Sequence, residues 1–359
     1  MRKLLVIIIL SMVLILSGCI RTKIIDDIQL VLMNGYDWDP VNDSYIGTAV
    51  IPLYGNSEES NLQDDVIYHA ESNTSQNIRN KIQTKTPYRI ETGKLLGILI
   101  GEELAKKGLE EITLGISENQ DIGRGLYLAV VKGESSELLS QDYKVEKNLP
   151  RYINELIESN MERNFPRTNL HQYFYSYYGE GMDPFLPLLA HTKTEVYLEG
   201  LALLDGDKYV DSISFDELFI FKMLFEPNDS ASYQFNWKDK DTFVVVSAIS
   251  STVDRELTSK EKINFKIDIK GTVTESADVK IDSFEVKGEL EKAIAEDLTK
   301  KAEDLIARLQ KENIDPLRIG AFHKSQTRDW KKKEWDELYP TMNIETELEF
   351  KIDQSNITE

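Results

Sequence analysis

The chain has 359 residues, of which 41% are hydrophobic and 9% aromatic, so it can form packed cores and is not a disordered chain. Its 62 acidic residues outnumber its 42 basic residues and give a formal net charge of −20, which excludes nucleic acid as an expected partner. The length allows two or three domains, and a single cysteine excludes any intramolecular disulfide.

The first nineteen residues have the pattern of a bacterial lipoprotein leader. Arg2 and Lys3 precede an apolar stretch over 4–16, and Leu16-Ser17-Gly18-Cys19 is a lipobox. As a helix the apolar stretch rises only about 20 Å, too short for a hydrocarbon core of about 30 Å. We expect residues 1–18 to be a signal peptide and the mature chain to begin at Cys19. Its thiol would carry a diacylglycerol and its amine an acyl group such as palmitate.

Two other interpretations of Cys19 are weaker. A plain secreted protein also carries an apolar leader, and a lone cysteine is most often a buried structural residue. At the end of a leader, however, nothing is available to bury this side chain. Residues 19–26 are therefore predicted to be a lipidated tether. Because anionic headgroups repel a strongly acidic protein, we expect the lipid, and not a basic patch, to attach the body to the membrane.

Residues 27–190 are predicted to form an N-terminal domain of strands and helices. Strands are predicted at 28–32, 45–53, 94–100, 112–116 and 126–131, with a polar turn at Asn34-Gly35 and a polar loop over 55–65. Helices are predicted at 75–85, 102–107 and 150–163. Residues 164–192 are rich in Tyr, Pro and Gly, so a domain boundary is expected in or just after them.

Residues 191–226 are predicted to form a small middle module, a hairpin followed by a helix. Asp205-Gly206 is the hairpin turn, and Ser214 with Glu217 forms a capping box for a helix that reaches Phe225. The module's boundaries are the least defined of the three.

Residues 227–355 are predicted to form a C-terminal α+β domain. Strand patterns occur at 242–249, 263–269 and 344–352, and an amphipathic helix at 288–312. Strands and helices do not alternate regularly along the chain, so we predict the α+β class. The expected architecture is mixed or antiparallel sheets flanked by helices, with the long C-terminal helix packed on an antiparallel sheet.

No pattern of residues indicates catalysis, a cofactor or a metal. The four histidines, His69, His171, His191 and His323, lack the spacing of a zinc site. Asp37, Asp39 and Asp43 lack the glycine and terminal glutamate of a calcium loop. Phosphate-binding loops and serine-hydrolase elbows are absent from the sequence. Exposed apolar residues within 164–189, among them Tyr175 and Tyr178, are our hypothesis for a partner contact.

Four blocks of residues follow the pattern of a known family. The first runs from Ile25 to Val31 and continues to Gly35 and Asp37. The others are 99–108 with 128–133, 200–204 with 206–208, and 315–320 with 330–332 and 335–340. The last is the most specific, because two tryptophans, an Asp-Glu pair and a proline at this spacing are unusual. In these blocks the chain resembles the Ger(x)C family, the C-subunit lipoproteins of spore germinant receptors in endospore-forming bacteria.

The resemblance implies a non-catalytic receptor subunit with an α+β fold of about three small domains. It implies a position on the outer face of the inner spore membrane or cell membrane, beside two integral-membrane partners, the A and B subunits. Such receptors respond to nutrients such as amino acids, sugars or nucleosides, and direct binding of a nutrient by this subunit is left open. Residue by residue, the resemblance transfers a role only to Cys19, as the lipid site.

The chain departs from the family pattern at three places. Ile20-Arg21 replaces a Trp-Asp pair, and Leu317-Arg318-Ile319-Gly320 replaces a Phe-Gly-Phe-Gly-like run. The last residues also lack the basic ending that is common in the family. Two other functions are kept open. A lipid-anchored solute-binding protein would need a deep cleft with convergent polar groups. A cell-wall lipoprotein enzyme, such as a glycosidase, would need the catalytic motifs that the sequence lacks.

Overall fold

The computed structural model describes residues 28–52, 65–145, 148–276, 281 and 283–353. The strands are β1 Ile28–Leu30, β2 Met33–Asp39, β3 Ser44–Pro52, β4 Asp65–Ser72, β5 Arg89–Glu91, β6 Gly97–Gly101, β7 Tyr127–Val131, β8 Phe185–His191, β9 Val196–Asp205, β10 Lys208–Ser214, β11 Ser232–Trp237, β12 Thr242–Ser259, β13 Lys262–Ser276 and β14 Asn343–Ile352. The helices are α1 Ser75–Gln83, α2 Glu102–Lys107, α3 Glu110–Glu118, α4 Ser135–Ser140, α5 Leu149–Met161, α6 Leu170–Tyr178, α7 Leu218–Phe225, α8 Phe284–Lys311, α9 Ile319–Gln326 and α10 Lys332–Leu338.

Eight strands form a mixed sheet in the order β10-β9-β8-β7-β6-β2-β3-β4. Its centre is parallel, from β2 through β6 and β7 to β8, and its two sides are antiparallel. The central strands β6 and β7 are short, nearly uninterrupted apolar runs that are buried on both faces. Burial of both faces is the usual condition for parallel strands, because their crossover helices cover the sheet.

Alternation along the central strands divides the apolar side chains between two cores. Leu99, Ala129 and Val131 point to the face covered by α4, α5 and α7. Ile98 and Ile100 point to the opposite face, where α1, α2, α3 and α6 pack. The period of two residues in a strand therefore explains why helices are needed on both sides of this sheet.

The second sheet has the order β11-β12-β13-β14 and carries the long helix α8. The strands β13 and β14 are parallel, and the connection between them contains α8, α9 and α10. One stripe of α8 is fully buried, with Leu290, Ile294 and Leu298 among its members. Each such side chain contributes about 1.5–3 kcal/mol by leaving water. The predicted α+β class, with mixed sheets and the long C-terminal helix packed on a sheet, is confirmed. That sheet is mixed and not antiparallel as predicted, because β13 and β14 are parallel and their connection is long enough for a crossover.

Most of the predicted elements are present, but several are wrong. Asn34-Gly35 is not a turn and lies inside β2. Residues 112–116 are not a strand and lie in α3, with Ile112 and Ile116 on its buried face. The segment 164–192 contains α6 and β8, which its richness in Tyr, Pro and Gly did not predict. The hairpin at Asp205-Gly206 and the capping box are confirmed. Of the predicted loop at 55–65, residues 55–64 lie outside the described residues.

The predicted middle module is continuous with its neighbours in space. β9 and β10 complete the eight-stranded sheet, and α7 lies on one of its faces. The boundaries at 27–190, 191–226 and 227–355 stay a prediction, and the signal peptide and tether lie outside the described residues. Within the described ranges, no helix is long and apolar enough to cross a membrane.

Candidate functional site

Cys19, the site residue that the sequence predicts, lies outside the described residues. Its lipidation stays a prediction. The described chain begins at β1, which pairs in parallel with β5 and places Ile28 opposite Arg89. This pair marks where a lipidated tether would join the body.

The first two family blocks meet at Asp37. This buried carboxylate accepts hydrogen bonds from the backbone nitrogens of Ser135 and Ser136, at 2.7 and 2.9 Å, and so caps the start of α4. A Cβ at Gly101 would lie 2.0 Å from Asp37 Oδ1. Burial raises the pKa of Asp37, and the hydrogen bonds from Ser135 and Ser136 oppose the rise. Asp37 therefore caps α4 and packs tightly against Gly101, which fixes β2, β6 and α4 relative to one another.

The second and third blocks meet at Asp207, in the turn between β9 and β10. Its carboxylate accepts a hydrogen bond from Glu110 N at 2.9 Å, and its backbone oxygen accepts one from Leu109 N at 3.0 Å. Gly108 has a positive φ, and a Cβ there would lie 2.6 Å from Asp207 Oδ2. These contacts fix this turn to the start of α3.

A pair of aspartates connects the eight-stranded sheet to the C-terminal helices. Asp183 accepts hydrogen bonds from Gly206 N at 3.2 Å and from Asp315 N at 2.7 Å. The carboxylate of Asp315 accepts hydrogen bonds from Ile319 N at 2.9 Å and from Gly320 N at 2.6 Å. We call this cluster the aspartate junction.

The tryptophan block completes the aspartate junction. A Cβ at Gly320 would lie 2.4 Å from Trp335 Nε1, and one at Gly181 would lie 2.6 Å from the carbonyl carbon of Gly320. The Trp335 ring also packs against His323 and Tyr339, with ring centres 5.1 and 5.3 Å apart. The residues that carry the family resemblance in this block therefore pack against one another and have a structural role.

The carboxylates of the aspartate junction have unusual acidities. The pKa of Asp315 is raised to about 7, chiefly by burial and in smaller part by the charge of Asp183, while the backbone hydrogen bonds from Gly320 and Ile319 and the guanidinium of Arg255 oppose the rise. Burial also raises the pKa of Asp183. The oxygens of both carboxylates accept hydrogen bonds from backbone amides, so we assign a structural role to Asp183 and Asp315.

Arg318 stands where the Phe-Gly-Phe-Gly-like run of the family has its first glycine. It has a φ of 60°, in the left-handed region that glycine normally occupies. Its guanidinium donates hydrogen bonds to Gln172 Oε1 at 3.0 Å and to Ser176 Oγ at 3.3 Å. It also lies over the rings of Tyr175 and Phe225, at 5.0 and 4.9 Å. The arginine thereby ties α6 to the start of α9.

The predicted partner contact on α6 is accessible. Tyr175 is 53% exposed and Tyr178 is 66% exposed. Tyr178 stacks on Phe174 with ring centres 5.8 Å apart, so its ring is held in place by the helix. Its role in binding a partner stays a hypothesis.

A cavity of about 360 Å³ lies between α1, α3 and the sheet. This volume is in the range of small-molecule sites. Its apolar wall consists of Val31, Ala49, Ile78, Ile82, Ile90, Ile112, Ile116 and Ile122. Its polar groups belong to Asn34, Tyr36, Thr48, Ser75, Gln76, Arg79, Thr92, Glu118 and Asn119. Because the lining comes from many separate segments, no motif in the sequence could reveal it.

The lining of the cavity suits binding better than catalysis. Among the lining residues, all of which the structure describes, Glu118 is the only carboxylate, and there is no histidine or cysteine. Burial raises the pKa of Tyr36 to about 12, and the positive charge of Arg79 opposes the rise. Tyr36 is therefore a neutral hydrogen-bonding group at physiological pH.

The histidines do not gather into a site. His69 lies on β4, where Nδ1 is 3.0 Å from Thr48 Oγ1, and burial lowers its pKa. His323 is buried on α9 and its Nε2 bonds the Lys260 carbonyl oxygen at 3.1 Å. In the part of the chain that the structure describes, no three His, Cys, Asp or Glu side chains form a group that could hold a metal ion.

Comparison with known families and proteins gives matches along the whole length. Residues 21–191 match the family described as "Spore germination protein N-terminal domain", and residues 199–356 match "Spore germination B3/ GerAC like, C-terminal". The chain is 30% identical over 367 residues to spore germination protein GerQC of Bacillus cereus, with all of both chains covered. It is 22% identical to the putative spore germination protein YfkR of Bacillus subtilis (strain 168), covering 96% of this chain and 94% of YfkR.

A solved structure has the same fold. The crystal structure of the GerBC protein matches with a TM-score of 0.58 at 17% identity, covering 90% of this chain and 99% of GerBC. At this identity the likeness establishes the fold alone. The arrangement of two sheets and their helices is thus a shared architecture.

Proposed function

The chain belongs to the Ger(x)C family of spore germination proteins, and we propose that it is a non-catalytic lipoprotein subunit of a nutrient germinant receptor. The observation that carries this proposal is the match to a spore germination protein over the full length of both chains. In this proposal Cys19 is the lipid site, and the body lies at the outer face of the inner spore membrane. The partners are the integral-membrane A and B subunits.

The geometry of the family blocks supports a role in assembly or signalling. Asp37, Asp207 and Asp315 each bind backbone amides, and the glycines beside them make close packing contacts. Asp37 and Asp315 use both carboxylate oxygens to bind backbone amides and Asp207 uses Oδ2, which supports a structural role for the three. A body held by such contacts presents a rigid surface to partner subunits.

The test is germination of spores that lack this gene or carry Cys19→Ala. Dipicolinate release is followed after nutrient and after a trigger that bypasses receptors, in a strain that depends on the cognate receptor. We expect the deletion to abolish only the nutrient response, and Cys19→Ala to reduce it because the body is no longer held at the membrane. An unchanged nutrient response in a strain without redundant receptors would overturn the proposal.

The cavity beneath α1 and α3 favours a second candidate function, capture of a small solute. Its apolar wall and the hydroxyl of Tyr36 suit a compact molecule that accepts or donates a few hydrogen bonds. Isothermal titration with nutrient germinants tests this function. Binding that is weakened about tenfold by Ala49→Leu, which narrows the cavity, would support it. If no effective germinant gives a heat of binding, solute capture would be excluded and assembly would remain as the proposed role.

A further inference from the structure

One segment of this acidic protein is basic. Residues 79–94 contain Arg79, Lys81, Lys85, Arg89 and Lys94 but a single acidic residue, Glu91, whereas the whole chain carries a net charge of −20. All five basic residues are exposed. The segment covers the second half of α1, the loop that follows and β5.

Most hydrogen bonds made by the basic side chains of this segment go to uncharged groups and do not neutralise their charge. Lys81 Nζ donates a hydrogen bond to the carbonyl oxygen of Glu71 at 2.6 Å, and Lys85 Nζ donates one to the carbonyl oxygen of His69 at 2.5 Å. Backbone carbonyls carry no net charge, so these bonds orient the ammonium groups and leave their charge in place. Arg89 forms an ion pair with Glu91 at 3.0 Å while its side chain stays 67% exposed.

The loop between α1 and β5 is held rigidly. Gln83 Nε2 donates to the Tyr88 carbonyl oxygen at 2.8 Å, and Gln83 Oε1 accepts from Ile90 N at 3.0 Å. The Thr86 hydroxyl donates to Gln29 Oε1 at 2.9 Å, which attaches the loop to β1. Tyr88 leaves this loop with 44% of its surface exposed. An aromatic ring is thus presented to the outside between two basic side chains.

This loop lies close to the start of the described chain, and therefore close to the membrane if Cys19 carries a lipid. Ile28 pairs with Arg89, and Ile28 follows Cys19 by nine positions. Nine residues span at most about 32 Å even when fully extended. A lipid on Cys19 therefore holds the loop within about 32 Å of the membrane, and a tether that is not fully extended allows contact within a Debye length of about 8–10 Å.

We propose that Lys81, Lys85, Tyr88 and Arg89 form a membrane-facing surface that rests on anionic phospholipid headgroups. Basic side chains beside a membrane anchor are attracted to anionic lipid, and tyrosine rings favour the headgroup region. The acidic remainder of the body is repelled by the same lipids, so the surface also sets the orientation of the body. The inference rests on the proposed lipidation of Cys19. It revises the expectation, drawn from net charge, that no basic patch assists the lipid.

Amine footprinting of the lipidated full-length protein tests this surface. The protein is reconstituted in vesicles of phosphatidylcholine alone or mixed with phosphatidylglycerol, and acetylation of each lysine is followed by mass spectrometry. We expect Lys81, Lys85 and Lys94 of the same basic segment to be labelled several-fold more slowly in the anionic vesicles, with the difference lost at high salt. The exposed Lys292 and Lys300 of α8 serve as internal controls and should be labelled equally in both.

A charge-reversed variant, Lys81→Glu/Lys85→Glu/Arg89→Glu, is compared with Lys292→Glu/Lys300→Glu/Lys311→Glu, which changes the net charge equally. Only the first should remove the dependence of the remaining lysine labelling, at Lys94, on anionic lipid. The mass of the N-terminal peptide reports the lipid on Cys19. A lipidated protein labelled equally in both vesicles would overturn the surface alone. Protection in spore membranes but not in vesicles would assign the surface to a protein and also overturn it. An unlipidated Cys19 would overturn the anchor and the surface together.

Discussion

Arg318 shows how one side chain can keep a backbone conformation that favours glycine. The family pattern places a Phe-Gly-Phe-Gly-like run here, and in this chain Arg318 has a left-handed backbone with φ of 60°. A left-handed conformation costs a residue with a Cβ about 1 kcal/mol or more. The contacts of the guanidinium with Gln172, Ser176 and two aromatic rings offset that cost.

Substitutions at Arg318 should separate strain from contacts. Arg318→Ala keeps the strain and removes the contacts, so we expect a loss of about 2 kcal/mol in the free energy of unfolding. Arg318→Gly removes both, so it should be about 1 kcal/mol more stable than the alanine variant. Urea unfolding followed by circular dichroism measures both. A glycine variant less stable than the alanine variant would contradict the assignment of strain.

Asp315 predicts a pH dependence with a definite sign. Its pKa is about 7 in the folded chain against an ordinary value of 3.8, so folding retains a proton that the unfolded chain loses. This contribution to stability is fully present below about pH 4 and disappears as pH rises through about 7. With about 1.4 kcal/mol for each pH unit, the effect is up to about 4 kcal/mol.

The variant Asp315→Asn isolates that contribution. Asparagine cannot ionise, so the difference in unfolding free energy between the two proteins should change between pH 4 and 7 and be flat above pH 8. Other carboxylates titrate equally in both proteins and cancel. Equal slopes in the two proteins over this range would show that Asp315 is ionised when folded.

At the scale of elements, glycines distinguish open helix surface from close packing. Gly288 lies in α8, where a Cβ would have nothing within 4 Å, whereas Gly320 lies in α9 against Trp335 and Gly181. Gly288→Ala should stabilise the protein by about 0.5–1 kcal/mol, because alanine has the higher helix propensity. Gly320→Ala should destabilise it by about 2 kcal/mol, because the methyl group overlaps the indole and a backbone that cannot easily move. Thermal unfolding of the two variants is the measurement, and a stable Gly320→Ala protein would argue against a tight junction.

The elements also show what a sequence can and cannot predict. The long helix and the last strand were predictable, since an apolar stripe and a strict alternation extend over many residues. Residues 112–116 misled, because Ile112 and Ile116 fit both a short strand and a helix face. Gly35 suggested a turn, but it is a strand residue whose Cβ would lie 2.6 Å from Ser135 Oγ. Contacts between distant segments leave no local signal, and the same holds for the lining of the cavity.

At the scale of the molecule, the two halves defined by the family matches share one sheet. The first match ends at residue 191 and the second begins at 199. Yet β8 and β9 pair along their length, from Phe185 with Leu203 to His191 with Val196. A single apolar cluster also runs from Met33 through α5 and α7 to Ile352. Two regions of sequence similarity therefore need not be two units of folding.

Cutting the turn between β8 and β9 tests that cooperativity. The turn residues Thr192–Glu195 are exposed, so a protease site inserted after Lys193 should be cleaved without disturbing the sheet. We expect the fragments to stay together on size exclusion and to unfold in one transition. Separated from β9 and β10, the first fragment would expose Leu186, Leu188 and Leu189 of β8 to water. Two folded, separable fragments would instead mean that the shared sheet is not required and that each half folds as an independent body.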